Sequence, residues 1–214
     1  YFSAFYFAIG NGRTVFFRYV LPLVPLVCLF GAVGVCHAGE WIASRIGMSS
    51  RGAVATLALL VAAPSVVNSA WFDILLARTD TRVVARAWLA SRLRPDSTLY
   101  DAGGYYATLD LSGLRFHPWY FQRDTGSFGH PQGENPHWLV LPDSPLLRYT
   151  QVAPEIRALA AREYVLVKVV RGTKTRVRFA LYDQQDAFFM PVSGFSTVER
   201  PGPTIRIYRR RDLQ

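Results

Sequence analysis

Arg18 and Tyr19 stand side by side near the start of the apolar run FFRYVLPLVPLVCLFGAVGV, from Phe16 to Val35, just ahead of Pro22 and Pro25. A guanidinium fork and a phenolic hydroxyl at the mouth of an apolar segment are the donors that a lipid phosphate needs, and prolines that displace backbone open room for one. An ionisable group in such a place is costly to bury, so it marks a functional position whose partner is an anion, a carbonyl or headgroup water. The competing reading is structural: arginine snorkels to the headgroups and tyrosine joins an aromatic belt.

Other reactive constellations are thin. His117, His130 and His137 lie in one loop, but no pair has the spacing of a helical zinc site, so no metal is expected. Gly103-Gly104 follows a strand-like segment without the third glycine and later acidic residue of a dinucleotide site, which leaves a tight turn. There is no GxSxG elbow, no carboxylate pair on one element and no cysteine after Cys36. A self-contained hydrolase is therefore improbable, and no cofactor and no catalytic residue are assigned here. The irregular stretch Leu109 to His137 does contain His117, Trp119 and Tyr120, side chains suited to contact with an acceptor or glycan.

These residues need elements to hold them. A bilayer core calls for roughly twenty apolar helical residues. Residues 16–35 supply one such span, and the uncharged GAVATLALLVAAPSVVNSAW, 52–71, supplies a second. The aromatic YFSAFYFAIG at 1–10 is about half that length, and without an initiator methionine it reads as the end of a third helix. The chain is accordingly expected to be the C-terminal portion of a longer multipass protein. Cys28 and Cys36 lie eight positions apart on one span, about 12 Å along a helix, too far to bond to one another.

Residues 72–214 are long enough for one soluble domain. Of the 24 basic residues in the chain only Lys168 and Lys174 are lysines. No face is basic beyond the run Arg209-Arg210-Arg211, so nucleic acid is not an expected partner. Asp80 can cap a helix reaching about Leu93, with Val84, Trp88, Leu89 and Leu93 on one face. Strands are expected at Thr98–Ala102, at Trp138–Leu141 closed by Pro142, and at Tyr164–Val170 after a helix over Pro154–Arg162. Arg176–Tyr182 reads as a partnered strand turning at Gly172–Lys174, and Thr204–Tyr208 as the last strand. The expected architecture is a membrane α-helical segment, two full spans plus the end of a third, followed by an α/β (α+β) domain with a mixed sheet. Arg13, Arg18, Arg78, Arg82 and Arg86 outnumber Arg45 and Arg51 across the spans, and the positive-inside rule alone would put the large domain in the cytoplasm.

The segment RYVLPLVP, Arg18 to Pro25, resembles the RY-x-LP-x-x-P stretch in the late transmembrane region of bacterial GT-C-type glycosyltransferases, the group with protein mannosyltransferase-like and aminoarabinose transferase-like enzymes. The helix DTRVVARAWLASRLRPDSTLY, Asp80 to Tyr100, and the terminal IRIYRR strand are similar to that group in layout. The resemblance implies a transferase of the bacterial inner (plasma) membrane that moves a sugar from a polyprenyl-phosphate carrier to a lipid, glycan or protein acceptor. It implies that Arg18 and Tyr19 sit near the carrier phosphate and that residues 72–214 are extracytoplasmic, against the charge count. The group's catalytic acid belongs to an early loop that this chain lacks, so Asp73 and Asp80 do not inherit that role and the isolated chain should be inactive. The alternative expectation is a membrane-tethered, non-catalytic module that binds a glycan or a protein.

Overall fold

The computed structural model describes residues 3–5, 7, 17–129, 135–174, 180–185 and 189–213, with Phe17 and Arg18 described by their backbone only. The chain separates into two compact units, Tyr1–Asp73 and Ile74–Gln214.

The first unit is dominated by two helices, α1 (Val24–Ile46) and α2 (Ser50–Leu76), the latter running on into the second unit. Both are long and apolar enough to cross a membrane. The residues expected to open the first span are not α-helical: Phe17–Leu23 winds as a tight 3₁₀ segment around Pro22, and Pro25 then sits in the first turn of α1, where its missing N–H is harmless. The helix also outruns its expected end at Val35. Nothing from Cys36 to Ile46 breaks it, and it stops only at Gly47, whose φ of 71° lets its amide return to the Ala43 carbonyl at 3.0 Å. The connection between the two helices is thus only residues 47–49. Near that turn the two helices meet backbone to backbone: Gly39, Ala43 and Ala53 are buried, and a Cβ at position 39 would stand 2.8 Å from the Val54 Cα. Away from the crossing, large apolar side chains face outward, among them Phe30, Leu59, Leu60 and Val66.

The second unit is a mixed sheet with a helix packed on each face. Its strands are β1 (Thr98–Asp101), β2 (His117–Pro118), β5 (Trp138–Asp143), β6 (Tyr164–Val170) and β7 (Thr204–Arg210), in the order β2-β1-β5-β7-β6. A separate short hairpin pairs β3 (Phe121–Gln122) with β4 (Ser127–Phe128). β2, β1 and β5 run parallel to one another, whereas β7 is antiparallel to both β5 and β6.

The helices are α3 (Thr81–Ala90) and α4 (Pro154–Glu163). Asp80 caps α3 by accepting from the Arg82 amide at 2.7 Å. Ala85 and Leu89 of α3 pack with Leu99, Trp138, Val140, Ile205 and Ile207 on one face of the sheet. Ile156 and Ala160 of α4 pack with Leu139, Leu141 and Tyr164 on the other. The central strand β5 is therefore covered on both faces, which is why WLVL reads as an unbroken apolar run. Leu99, Leu139, Val140, Ile205 and Ile207 are at most 2% exposed, and such burial contributes about 1.5–3 kcal/mol per side chain.

Two expectations about strands are corrected. Pro142 does not close β5; the strand continues to Asp143, with Pro142 opposite Ile205. Val140 turns its carbonyl toward β1, where the Ala102 amide binds it, so Pro142, two residues on, also faces that side, beyond the end of β1, and no ladder bond needs its N–H. Gly172–Lys174 is not a hairpin turn either: Thr173 bridges Val198, the Gly172 amide binds the Thr204 hydroxyl, and β6 pairs with β7. Residues 176–179 of the strand expected there lie outside the described residues, and Leu181 bridges Ser193.

Candidate functional site

A cleft of about 560 Å³ opens where the three parallel strands end. The segment leaving β1 contributes Tyr100 to Tyr106, the segment after β2 contributes Phe121 and Arg123, and the segment after β5 contributes Arg148, Tyr149, Gln151 and Ala153. Carboxyl ends of adjacent parallel strands are where open α/β sheets hold ligands, because neighbouring loops diverge there and leave a crevice.

The chain is bent sharply to build it. Gly103 accepts the Ala107 amide at 2.9 Å, and a Cβ on Gly103 would collide with the backbone of Ala107 and Thr108. Asp101 holds this turn from beneath: its carboxylate accepts from the Gly103 amide at 2.8 Å, the Thr108 hydroxyl at 3.0 Å and the Leu109 amide at 2.7 Å. Burial pushes the Asp101 carboxyl up from the ordinary range, and these three donors pull against it. Arg82 fixes the far side of the turn by donating to the Tyr106 carbonyl at 3.0 Å while its guanidinium is bound twice by Asp80.

Tyrosines form the walls. Tyr106 stacks edge-on between Tyr105 and Tyr149, with ring centroids 5.0 Å from each. Tyr149 is anchored by its hydroxyl, which donates to the Gln185 carbonyl at 2.6 Å, and Arg148 donates to the Gln185 side chain at 3.1 Å. Tyr100 rests on Phe128 and Phe121, with its phenol pKa raised by burial and by Asp101 and drawn back by Arg123. Tyr105, at 88% exposure, is an aromatic surface that no core requirement explains. Asp101 is the one carboxylate that lines the cleft among the described residues, beside aromatic planes, hydroxyls and cations.

The residues singled out in the sequence fall elsewhere. Trp119 is a core side chain, 7% exposed and packed beside Phe128, so it presents no face to a ligand. Tyr120 and His117 are exposed, but neither lines the cleft; their neighbours Phe121 and Arg123 do. Tyr19 is 40% exposed within the 3₁₀ segment, and the Arg18 side chain lies outside the described residues. His130 lies outside them too, while the His137 Nδ1 accepts from the Thr98 amide at 3.2 Å. Among the described residues no three His, Cys, Asp or Glu side chains gather into a metal site. The signal for the cleft was nevertheless present: a strand ending in Asp, followed by two glycines and two tyrosines. No family model, curated protein or solved structure matches this chain.

Proposed function

We propose that this chain serves a glycosyltransferase of the bacterial plasma membrane that draws its sugar from a polyprenyl-phosphate carrier. In this reading α1 and α2 cross the bilayer, and the unit from Ile74 lies outside the cytoplasm and binds the acceptor lipid, glycan or protein. The observation that carries the binding role is the cleft itself, with stacked phenols and two arginines converging at the ends of three parallel strands. Such a lining suits a polyhydroxylated ligand. The outward leucines and valines of α1 and α2 support the bilayer as their solvent.

The carrier role of Arg18 and Tyr19 rests on the RYVLPLVP resemblance. A guanidinium there would stabilise the departing carrier phosphate as the acceptor displaces it from the anomeric carbon. Photo-crosslinking tests this. A diazirine-bearing polyprenyl phosphate in nanodiscs should label the wild-type chain, and Arg18→Ala should lose most of that label at equal insertion. Undiminished labelling of Arg18→Ala removes the carrier role.

One observation favours the alternative of a tethered, non-catalytic binding module: every residue lining the cleft lies between Tyr100 and Ala153. That reading predicts saccharide binding indifferent to Arg18→Ala and to added polyprenyl phosphate.

A further inference from the structure

We infer that the cleft takes an anionic oligosaccharide, one bearing carboxylate or phosphate groups, in preference to a neutral glycan; the inference rests on the carbohydrate-binding role proposed above. The cleft does not end at Phe121 and Arg123. A second hollow of about 540 Å³ shares Phe121, Arg123, Gln151 and Ala153 with it and continues to Glu155 and Arg157. Two adjoining hollows of this size give room for more than one sugar ring.

The charge of the joined groove leans positive, with three arginines to two acids. Arg148 lies in the first hollow, Arg123 on the shared wall and Arg157 in the second. Against them stand Asp101, whose oxygens are taken up by three donors, and Glu155, in the second hollow. Elsewhere in this unit four arginines are matched to acids, Arg82 to Asp80, Arg162 to Glu163, Arg206 to Asp143 and Arg210 to Asp212, and others, such as Arg78 and Arg86, are tied to backbone carbonyls. None of the three groove arginines is in an ion pair among the described residues. Arg148 is instead oriented by the neutral Gln185 amide, which aims the fork without cancelling its charge. Planar forks of this kind match carboxylate and phosphate oxygens two at a time, while Tyr105, Tyr106 and Tyr149 present ring surface to the sugar between the charges. A neutral glycan would use the rings and leave all three cations to water.

The experiment uses the 214-residue chain in a detergent without a sugar headgroup. Calorimetry compares trigalacturonate, a phosphorylated trisaccharide and neutral maltotriose. A charged probe is expected to bind about tenfold tighter than maltotriose at low salt, the margin shrinking as ionic strength rises because the arginines are exposed. Arg123→Gln and Arg148→Gln should each cut that margin about threefold, whereas Tyr106→Ala should weaken all three probes. Whichever charged probe is favoured tells carboxylate from phosphate. Equal affinity for charged and neutral probes, or a margin unaffected by both arginine variants, overturns the anion preference and leaves the carbohydrate role standing. Inorganic phosphate binding as tightly as the phosphorylated trisaccharide overturns the preference for a saccharide. Failure of every trisaccharide to bind overturns the carbohydrate role and this inference with it.

Discussion

Replacing Asp101 by alanine removes the fastening beneath the cleft, and the size of the effect follows from its three bonds. Thr108 is exposed, so its hydroxyl turns to water and costs little. Gly103 and Leu109 are buried, and their amides lose an acceptor that water cannot readily replace, at about 1–3 kcal/mol each. Relief of the buried carboxylate's desolvation returns part of this, so the net loss should be about 2–3 kcal/mol. In a unit of this size that lowers Tm by about 6–12 °C. Thermal unfolding in detergent, followed by tyrosine and tryptophan fluorescence, gives the shift, and hydrogen exchange at the Leu109 amide localises it. Asp101→Asn should lose about half as much, since one amide oxygen still accepts while the NH₂ meets a donor. The same variants should weaken saccharide binding, because residues 102–107 carry Tyr105 and Tyr106. A Tm within about 2 °C of wild type, with Leu109 exchange unchanged, would refute the claim that Asp101 holds this turn.

Two further outcomes are expected. Gly39→Ala should destabilise the helix pair of the first unit by about 1–3 kcal/mol, because the added Cβ meets Val54 backbone that cannot swing aside; denaturation in mixed micelles measures it, and no change would mean that the helices do not meet there. In alkali, burial holds the Tyr182 phenol up to about 12 and pushes Tyr164 higher still, so this stability is fully present below the ordinary tyrosine pKa of about 10 and is lost as pH rises through 12. Absorbance at 295 nm should show these two tyrosines ionising last and together with unfolding. Tyr182→Phe should make the stability loss shallower, and an unaltered pH profile would count against buried Tyr182 as its source.

Elements whose signal is local were legible from the residues alone. The Asp80 cap, the proline start of α4, the strand following α4 without a linker and the terminal strand all depend on neighbours within a few positions, and the structure has each of them. What failed depends on partners distant in sequence. Pro142 ends a strand only if its missing N–H faces a neighbour, and that follows from where β1 stops, some forty positions earlier. The pairing of β6 with β7 skips the intervening segment, against the preference for adjacent hairpins that the sequence reading used. Trp119 reads as a ligand contact in its irregular stretch, yet it packs with Phe128 of the small hairpin in the α4-side core. The cleft went unread for a similar reason. GGYY lacks the marks of a dinucleotide motif, and its importance comes from β1 lying between two strands parallel to it, with Arg123 and Tyr149 arriving from their ends.

That arrangement divides the sheet by task. In an antiparallel pair, the segments leaving adjacent strands depart from opposite ends and do not converge, so β7 and β6 can fill the core but cannot readily build a crevice between their exits. The parallel half sends three exits to one edge, where they differ in length and character: a bonded turn after β1, a hairpin after β2 and a 3₁₀ turn at Leu147–Tyr149 after β5. A binding surface assembled from three segments that leave different strands can change its ligand by altering one of them without disturbing Leu139, Val140 or Ile207 beneath. The anchors lie in separate places, Asp101 under the first segment and Gln185 behind Arg148 and Tyr149. Loss of Asp101 should therefore blunt recognition by the tyrosines more than recognition by Arg148, and a binding profile that fails uniformly across charged and neutral probes would mean that the segments are coupled.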